Sequence, residues 1–421
     1  MAVPRHRVVI LGAGFGGLSA AKALAKAPVE VTVIDRRNYH LFQPLLYQVA
    51  TAGLSPADIA APIRSILRGQ ANARVLLGRV QAIDRQSRDV LLQDGRRIPF
   101  DSLVVATGAR HAYFGHDEWE PVAPGLKKID DAIDIRRRIL LAFERAEMTT
   151  DEETRHRLLT LAVVGAGPTG VEMVGAMAEL AKKALAADFR AIDPRQARIL
   201  LVEAAARPLT AFPDRLSAKA KTQLEELGVE LLLGAKVTRC DDAGLEIEDG
   251  EGRRFIPAAT VIWAAGVEAS PAAKWLDVPG DRAGRVPVTP HLNLPDDPRL
   301  FVIGDTALVS GADGKPLPGV APVAKQQGEY VARQIRLALA GKSVKPFAYR
   351  NYGNLATIGR KAAVADFGWI RLSGTLAWLL WGAVHIFFLI GFRNRIFVLL
   401  SWLWAYLSFH RGSRLITGAD F

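Results

Sequence analysis

Apolar residues fall into short unbroken runs, and most of these runs end in glycine or an acid. Residues 7–11 lead into Gly12-Ala13-Gly14-Phe15-Gly16-Gly17 and then an alanine-rich stretch over 18–27. Residues 161–164 lead into Gly165-Ala166-Gly167-Pro168-Thr169-Gly170 and a second alanine-rich stretch from 171 to about 187. Each predicts a strand, a glycine turn and a helix. Further apolar runs predict strands at 30–34, closing on Asp35, and at 198–202, closing on Glu203. Residues 103–108 and 261–266 run into Ala106-Thr107-Gly108 and Ala264-Ala265-Gly266, while Asp94-Gly95 and Asp249-Gly250 read as hairpin turns. The plan therefore occurs twice, as an internal duplication. The run at 300–305, ending in Gly304-Asp305, lies beyond the second copy and is expected to complete the first domain.

Glycine at the GxGxxG spacing has a chemical reason. One glycine makes the tight turn, one lets backbone N–H groups approach a pyrophosphate, and one lets helix and strand pack closely. The helix N-terminus adds partial positive charge toward the anion. Two such motifs in matching contexts predict a protein that holds two dinucleotides and moves a hydride between them. Asp35 has the spacing of the acid that binds an adenosine ribose, with Arg36 beside it as a second candidate. Glu203 would repel a 2′-phosphate and so favours NAD over NADP, with Arg207 nearby as the contrary signal. The 33 residues from Gly170 to Glu203 exceed the usual spacing and predict an insertion in that helix or its loop. Residues 38–62, polar, aromatic and proline-punctuated, predict a loop over the cofactor.

The chain has 421 residues, 50% hydrophobic and 23% charged, enough for two or three domains with real cores and too apolar for disorder. The single Cys240 excludes an internal disulfide and a cysteine-bound iron–sulfur cluster, and no metal-ligand motif is present. Net charge is +11, of which +8 falls between Lys342 and the C-terminus, with five of the eight tryptophans. A basic tail of Trp, Leu and Phe suits an anionic lipid bilayer better than nucleic acid. Residues 376–392 and 396–409 would form helices of about 25 and 21 Å, short of the roughly 30 Å hydrocarbon core. Basic residues flank them: Arg371, then Arg393 and Arg395, then His410, Arg411 and Arg414. Two helices lying in one leaflet fit this pattern best, with a spanning helix and a homodimer interface as alternatives. The N-terminus mimics a signal peptide, but the first glycine motif lies inside the apolar stretch, which predicts a cytosolic N-terminus.

The ordered set of Gly12 to Gly17 with Asp35, Thr107-Gly108, Gly165 to Gly170, Ala265-Gly266 and Gly304-Asp305 resembles the two-dinucleotide-binding flavoprotein reductases. Residues 38–53, Thr169-Gly170-Val171-Glu172, residues 321–326 and the aromatic basic C-terminus look most like a type II NADH dehydrogenase. The resemblance implies an α/β fold of two Rossmann-like domains: an FAD domain over 1–118 and 285–370, an inserted NADH domain over 119–284, and a C-terminal helical membrane anchor over 371–421. It implies non-covalent FAD, NADH as substrate and a membrane quinone as acceptor, at the cytoplasmic face of the inner membrane and without ion pumping. The first fingerprint, including Phe15, would hold FAD together with Gly304-Asp305 and Ala321, and the second would hold NADH. Glu172 is implied near nicotinamide and flavin, orienting the carboxamide or relaying protons, though a carboxylate in a first helical turn is also favoured by the helix dipole. The family's Ala-Gln-x-Ala-x-Gln reads here as Ala321-Pro322-Val323-Ala324-Lys325-Gln326, so Pro322 loses the first glutamine while Gln326 keeps the second, toward the quinone. Lys361 could reach the same site or lie on the surface, and His385 reads as a packing residue. With one cysteine, electrons cannot pass to a cysteine pair, which disfavours a sulfide:quinone oxidoreductase. A non-catalytic membrane-docked redox sensor stays open.

Overall fold

A computed structural model describes residues 5–408 and 411–418, so His410 lies outside the described residues. The chain packs as two compact units, one of Met1–His40, Ala61–Arg110 and Val267–Tyr352, the other of Leu41–Ala60, His111–Gly266 and Gly353–Phe421.

The first unit is built on a six-stranded sheet. His6–Leu11 lies between Val29–Asp35 and Ser102–Val105, with Ala73–Leu77 at one edge and Asp297–Val302 then Asn293–Leu294 at the other. All pairings are parallel except that of the last two strands. Asp297–Val302 thus returns to the first sheet, as its apolar run predicts. Val8 to Leu11 are buried on both faces, which explains why the run does not alternate with polar residues. The fingerprint helix Phe15–Ala23 packs on the long helix Ala321–Leu339 so closely that a Cβ on Gly328 would come within 2.2 Å of the Gly16 carbonyl. The Asp94-Gly95 hairpin joins Asp89–Leu92 to Arg97–Pro99.

The second unit repeats the plan with four parallel strands in the order Val229–Leu233, Arg198–Glu203, Thr160–Val164, Thr260–Trp263. The Asp249-Gly250 hairpin joins Gly244–Asp249 to Gly252–Pro257 in a three-stranded meander. The helix predicted to reach about 187 is regular only over Pro168–Glu179 and then widens into a π turn at Leu180–Ala184. The extra length before Glu203 is an irregular segment whose backbone is satisfied locally. The Glu147 carboxylate accepts the N–H groups of Arg190, Ala191 and Ile192.

The domain boundaries differ from the sequence expectation. Residues 267–284 pack with the first unit, and residues 41–60, 111–118 and 353–370 with the second. The stretch expected as a loop carries short helices at Gln43–Leu45, Leu46–Ala50 and Pro56–Ile59. Phe42, Leu45, Leu46, Val49 and Ala52 are buried, so this stretch is core; its prolines only punctuate it. The tail is no separate domain either. A meander of Asn354–Gly359, Ala362–Asp366 and Arg371–Ser373 runs into helices Thr375–Phe388 and Phe392–Ser408, all within the second unit. The first helix ends where Leu389 turns extended at ψ 131°, Gly391 follows with a positive φ of 89°, and Arg393 and Arg395 open the second helix instead of flanking it.

Candidate functional site

The two fingerprints have the same steric logic. Gly12 and Gly165 carry φ of 93° and 100°, and a Cβ on either would collide with the backbone at Ala106 and Ala265 respectively. A Cβ on Gly17 would reach 1.9 Å from the Gly12 carbonyl, and one on Gly170 1.8 Å from that of Gly165. The middle glycines are different. A Cβ on Gly14 or Gly167 would meet no described atom within 4 Å. Protein packing demands the outer glycines; the middle one leaves room for an anion at a helix N-terminus, where Gly14 and Gly167 are the N-caps. Both cradles therefore fit a dinucleotide pyrophosphate.

In the first unit Asp35 accepts the N–H of Ala13 at 2.7 Å and that of Arg37 at 2.8 Å. Arg36 is exposed beyond it. Phe15 packs edge-on against the buried His40 at 5.2 Å. Thr107 Oγ1 lies 2.5 Å from Ser270 Oγ, and Gly108 accepts from Thr306 Oγ1 at 3.2 Å. A cavity of about 90 Å³ opens beside Gly304, Asp305, Val323 and Gln327. Ala321 begins the long helix that lines it. Gln326 is half-buried and closes a two-way bond with the Arg350 backbone, at 2.9 Å each way. Its neighbour Gln327 is the buried one, with Oε1 accepting the Gly304 N–H at 2.6 Å. The signal for Gln327 was available: with Val323, Ala324, Gly328 and Val331 it falls on the apolar stripe of the helix.

In the second unit Glu203 accepts the N–H of Ala166 at 2.7 Å and of Ala205 at 2.8 Å. Arg207 is engaged elsewhere, with the carbonyls of Phe212 and Thr210 and with Asp214. Pro168 and Thr169 are exposed in the first turn of the fingerprint helix. Ala265 and Gly266 follow the strand beside them, Gly266 under the Phe114 ring.

Glu172, on the same helix, is densely surrounded yet keeps part of its surface accessible. Loss of water pushes its carboxyl up to about 8, against a long 3.5 Å bond from the Thr357 N–H and the nearby Trp381 indole. The Trp381 N–H is buried, with no partner of good geometry among the described residues. Close packing brings Thr357 there, since a Cβ on Gly175 would fall 1.6 Å from the Ile358 carbonyl. Trp381 stacks on Trp402 of the next helix at 5.4 Å and on His385 at 4.3 Å. His385 is bound to the Trp381 carbonyl at 2.7 Å, a packing residue as expected. Sequence reasoning missed the Trp402 indole, which donates to Gln48 Oε1 at 2.7 Å, and Gln48 Nε2, which donates to the Tyr47 hydroxyl at 2.9 Å. It also missed Arg411, which donates to the Thr51 carbonyl at 2.7 Å and to Glu179 at 3.2 Å. Apart from the adjacent Gln48 and Tyr47, these pairings join residues more than 200 positions apart and leave no local pattern. Lys361 is exposed, in a turn at φ 62°, with its ammonium 5.8 Å from the Tyr406 ring.

Residues 6–328 match the pyridine nucleotide-disulphide oxidoreductase family, and residues 352–411 match the NDH2 C-terminal domain. The chain is 48% identical to the type II NADH:quinone oxidoreductase Ndh of Mycobacterium tuberculosis, over 98% of this chain and 90% of that one. It is 32% identical to a type II NADH:quinone oxidoreductase of Staphylococcus aureus, over 85% of this chain and 89% of the other. Among solved structures, NDH2 from Plasmodium falciparum in complex with NADH superposes with a TM-score of 0.89 at 20% identity, covering 99% of this chain and all (100%) of that one. With two glycine cradles, an acid on each and a matching C-terminal domain, the chain belongs to the pyridine nucleotide-disulphide oxidoreductase family and, within it, to the type II NADH:quinone oxidoreductases.

Proposed function

We propose that the protein oxidises NADH and reduces a membrane quinone, with non-covalent FAD in the first cradle and NADH in the second. One observation carries the reading: two fingerprints, each with its middle glycine facing open space and an acid tied to the residue after its first glycine. Bound FAD would supply the two-electron carrier between nicotinamide and quinone.

The chain's own residues bind, orient and move protons. Asp35 takes the adenosine ribose of FAD and Glu203 that of NADH, and the engagement of Arg207 with Asp214 and two carbonyls supports NADH over NADPH. Thr107, Gly304, Asp305 and Ala321 would border the flavin. Glu172, with its carboxyl near 8, holds a proton at neutral pH and delivers it toward the quinone as charge arrives. Gln326 is assigned to the quinone end by resemblance, and Lys361 is the exposed lysine within reach of the same end.

The C-terminal helices lie flat in one leaflet at the cytoplasmic face. They have 14 and 17 residues, about 21 and 26 Å at 1.5 Å per residue. Among the described residues no helix is long and apolar enough to cross a membrane. Leu379, Phe387, Phe392, Leu400, Trp404 and Leu407 are exposed on them, more apolar surface than a protein leaves in water without purpose. Arg393 sits 4.7 Å from the Phe397 ring, a cation beside a lipid-seeking aromatic.

Anaerobic titration of the purified protein tests the function. NADH should bleach the flavin absorbance and a short-chain quinone should restore it, over many cycles. A colourless protein, or flavin reduced once and never reoxidised by quinone, would overturn the proposal.

A further inference from the structure

We propose that Tyr47 is a proton donor to the quinone and that Trp402, acting through Gln48, is the positioning residue that aims its hydroxyl. This rests on the reading of Glu172 as a proton carrier in the same unit.

The argument is one of hydrogen-bond polarity. An indole N–H can only donate. At 2.7 Å from Gln48 it forces the amide to present oxygen to Trp402, and so nitrogen to Tyr47. The amide nitrogen then donates to the phenol oxygen at 2.9 Å. With its oxygen used as acceptor, the Tyr47 hydroxyl must send its own proton away from Gln48. Tyr47 is buried, so that direction is fixed by its surroundings and not averaged by water. Its short helix Leu46–Ala50 packs against Pro168–Glu179, the helix that bears Glu172. The charged groups facing Tyr47 are Glu172 and Glu179 on that helix and Arg411 on the C-terminal segment; burial and Glu172 together hold the phenol well above its ordinary value. Trp381, stacked on Trp402, faces Glu172. Each of the two C-terminal helices thus contributes one indole, Trp381 beside Glu172 and Trp402 linked to Tyr47 through Gln48.

The step balances as follows. As the quinone accepts two electrons from the established reaction, the Tyr47 O–H bond breaks and an O–H bond forms on one quinone oxygen. The Glu172 proton restores the phenol, and water reprotonates the carboxylate. Water also supplies the second proton.

The test uses the full-length, flavin-loaded protein in anionic lipid vesicles. Stopped-flow mixing separates reduction of the flavin by NADH from its reoxidation by a short-chain benzoquinone, from about pH 6 to 9. Trp402→Phe keeps the ring stack and deletes the N–H. It should leave the NADH step unchanged, slow the quinone step about tenfold and raise its solvent deuterium isotope effect. Tyr47→Phe should slow the quinone step about a hundredfold. The double variant should be no slower than Tyr47→Phe alone, because both act through one proton. Multiplying effects, or an unchanged isotope effect in Trp402→Phe, would overturn the proposal. Gln48→Met, which leaves the C-terminal helices untouched, must reproduce Trp402→Phe and serves if that variant folds poorly.

A second readout needs no turnover. In the full-length, flavin-loaded protein labelled with ¹⁵N-tryptophan, the Trp402 indole N–H should resist deuterium exchange and shift in Gln48→Met; free exchange would sink the idea. Glu172→Gln without effect on the quinone step would remove the carrier role of Glu172. The coupling of Trp402 with Tyr47 is scored separately, so the two readings fail by different results.

Discussion

Asp35 and Glu203 stand in the same relation to their fingerprints: each carboxylate accepts, at 2.7 Å, the N–H of the alanine after the first glycine. The acid therefore braces the phosphate turn, besides the ribose-binding role proposed for it. Glu203→Gln keeps an oxygen for Ala166 but removes the charge that repels a 2′-phosphate. The kcat/KM preference for NADH over NADPH should fall about tenfold, equivalent to about 1.4 kcal/mol. Stability should fall by about 1–2 kcal/mol, since the oxygen that accepts the Ala205 N–H becomes an NH2 while the one facing Ala166 remains. Unaltered preference would mean that Glu203 serves the turn alone.

The glycines of the first cradle make a contrasting pair. A Cβ at position 14 meets no described atom, whereas one at position 17 is driven into the Gly12 carbonyl at 1.9 Å. Gly14→Ala should yield a folded protein that has lost most of its flavin, because the added methyl stands where the pyrophosphate must approach. Gly17→Ala should fail to fold. Circular dichroism and the ratio of flavin to protein absorbance separate the outcomes, and a Gly14→Ala protein with full flavin would refute the placement of the anion.

Glu172 makes stability depend on pH in a definite direction. Its folded value, about 8, lies above its ordinary 4.5, so the folded state binds the extra proton. The contribution is whole below about pH 4.5 and is lost as pH rises toward 8. Glu172→Gln should match the parent near pH 4 and exceed it at pH 8, by on the order of 3 kcal/mol. Denaturant titrations at the two pH values measure this. Equal stability of parent and variant at pH 8 would place the carboxyl in water.

Much of the fold was legible because it is written in local patterns. The runs at 7–11 and 161–164, with their glycines and distal acids, declare strand, turn and helix within 30 residues, and two copies declare the duplication. What escaped depends on contacts between distant segments. Residues 38–62 read as a loop because prolines and polar residues interrupt them, yet Leu45, Val49 and Ala52 are wholly buried. The site was legible to the same extent. The glycines and Asp35 follow from spacing and Glu203 from its place at a strand end, but the choice between Gln326 and Gln327 turns on which face of one helix is buried. The Trp402–Gln48 bond spans 354 positions and no periodicity reports it.

The C-terminal helices supply the last prediction. If they lie in one leaflet, binding combines apolar insertion with attraction of Arg393 and Arg395 to anionic headgroups, the latter worth about 1 kcal/mol per charge. Arg393→Gln with Arg395→Gln should weaken binding to anionic vesicles about thirtyfold and leave binding to neutral vesicles nearly unchanged. Phe392→Asp, at a position 78% exposed, should weaken binding to both, because it opposes insertion itself. High salt should erase the first difference and spare the second, since screening acts on charge and not on apolar contact. Sedimentation with vesicles of each composition gives the three comparisons. A spanning helix makes the opposite forecast: once inserted, the protein would resist extraction by salt in every variant, and a cysteine at position 392 would react from the far side of the bilayer.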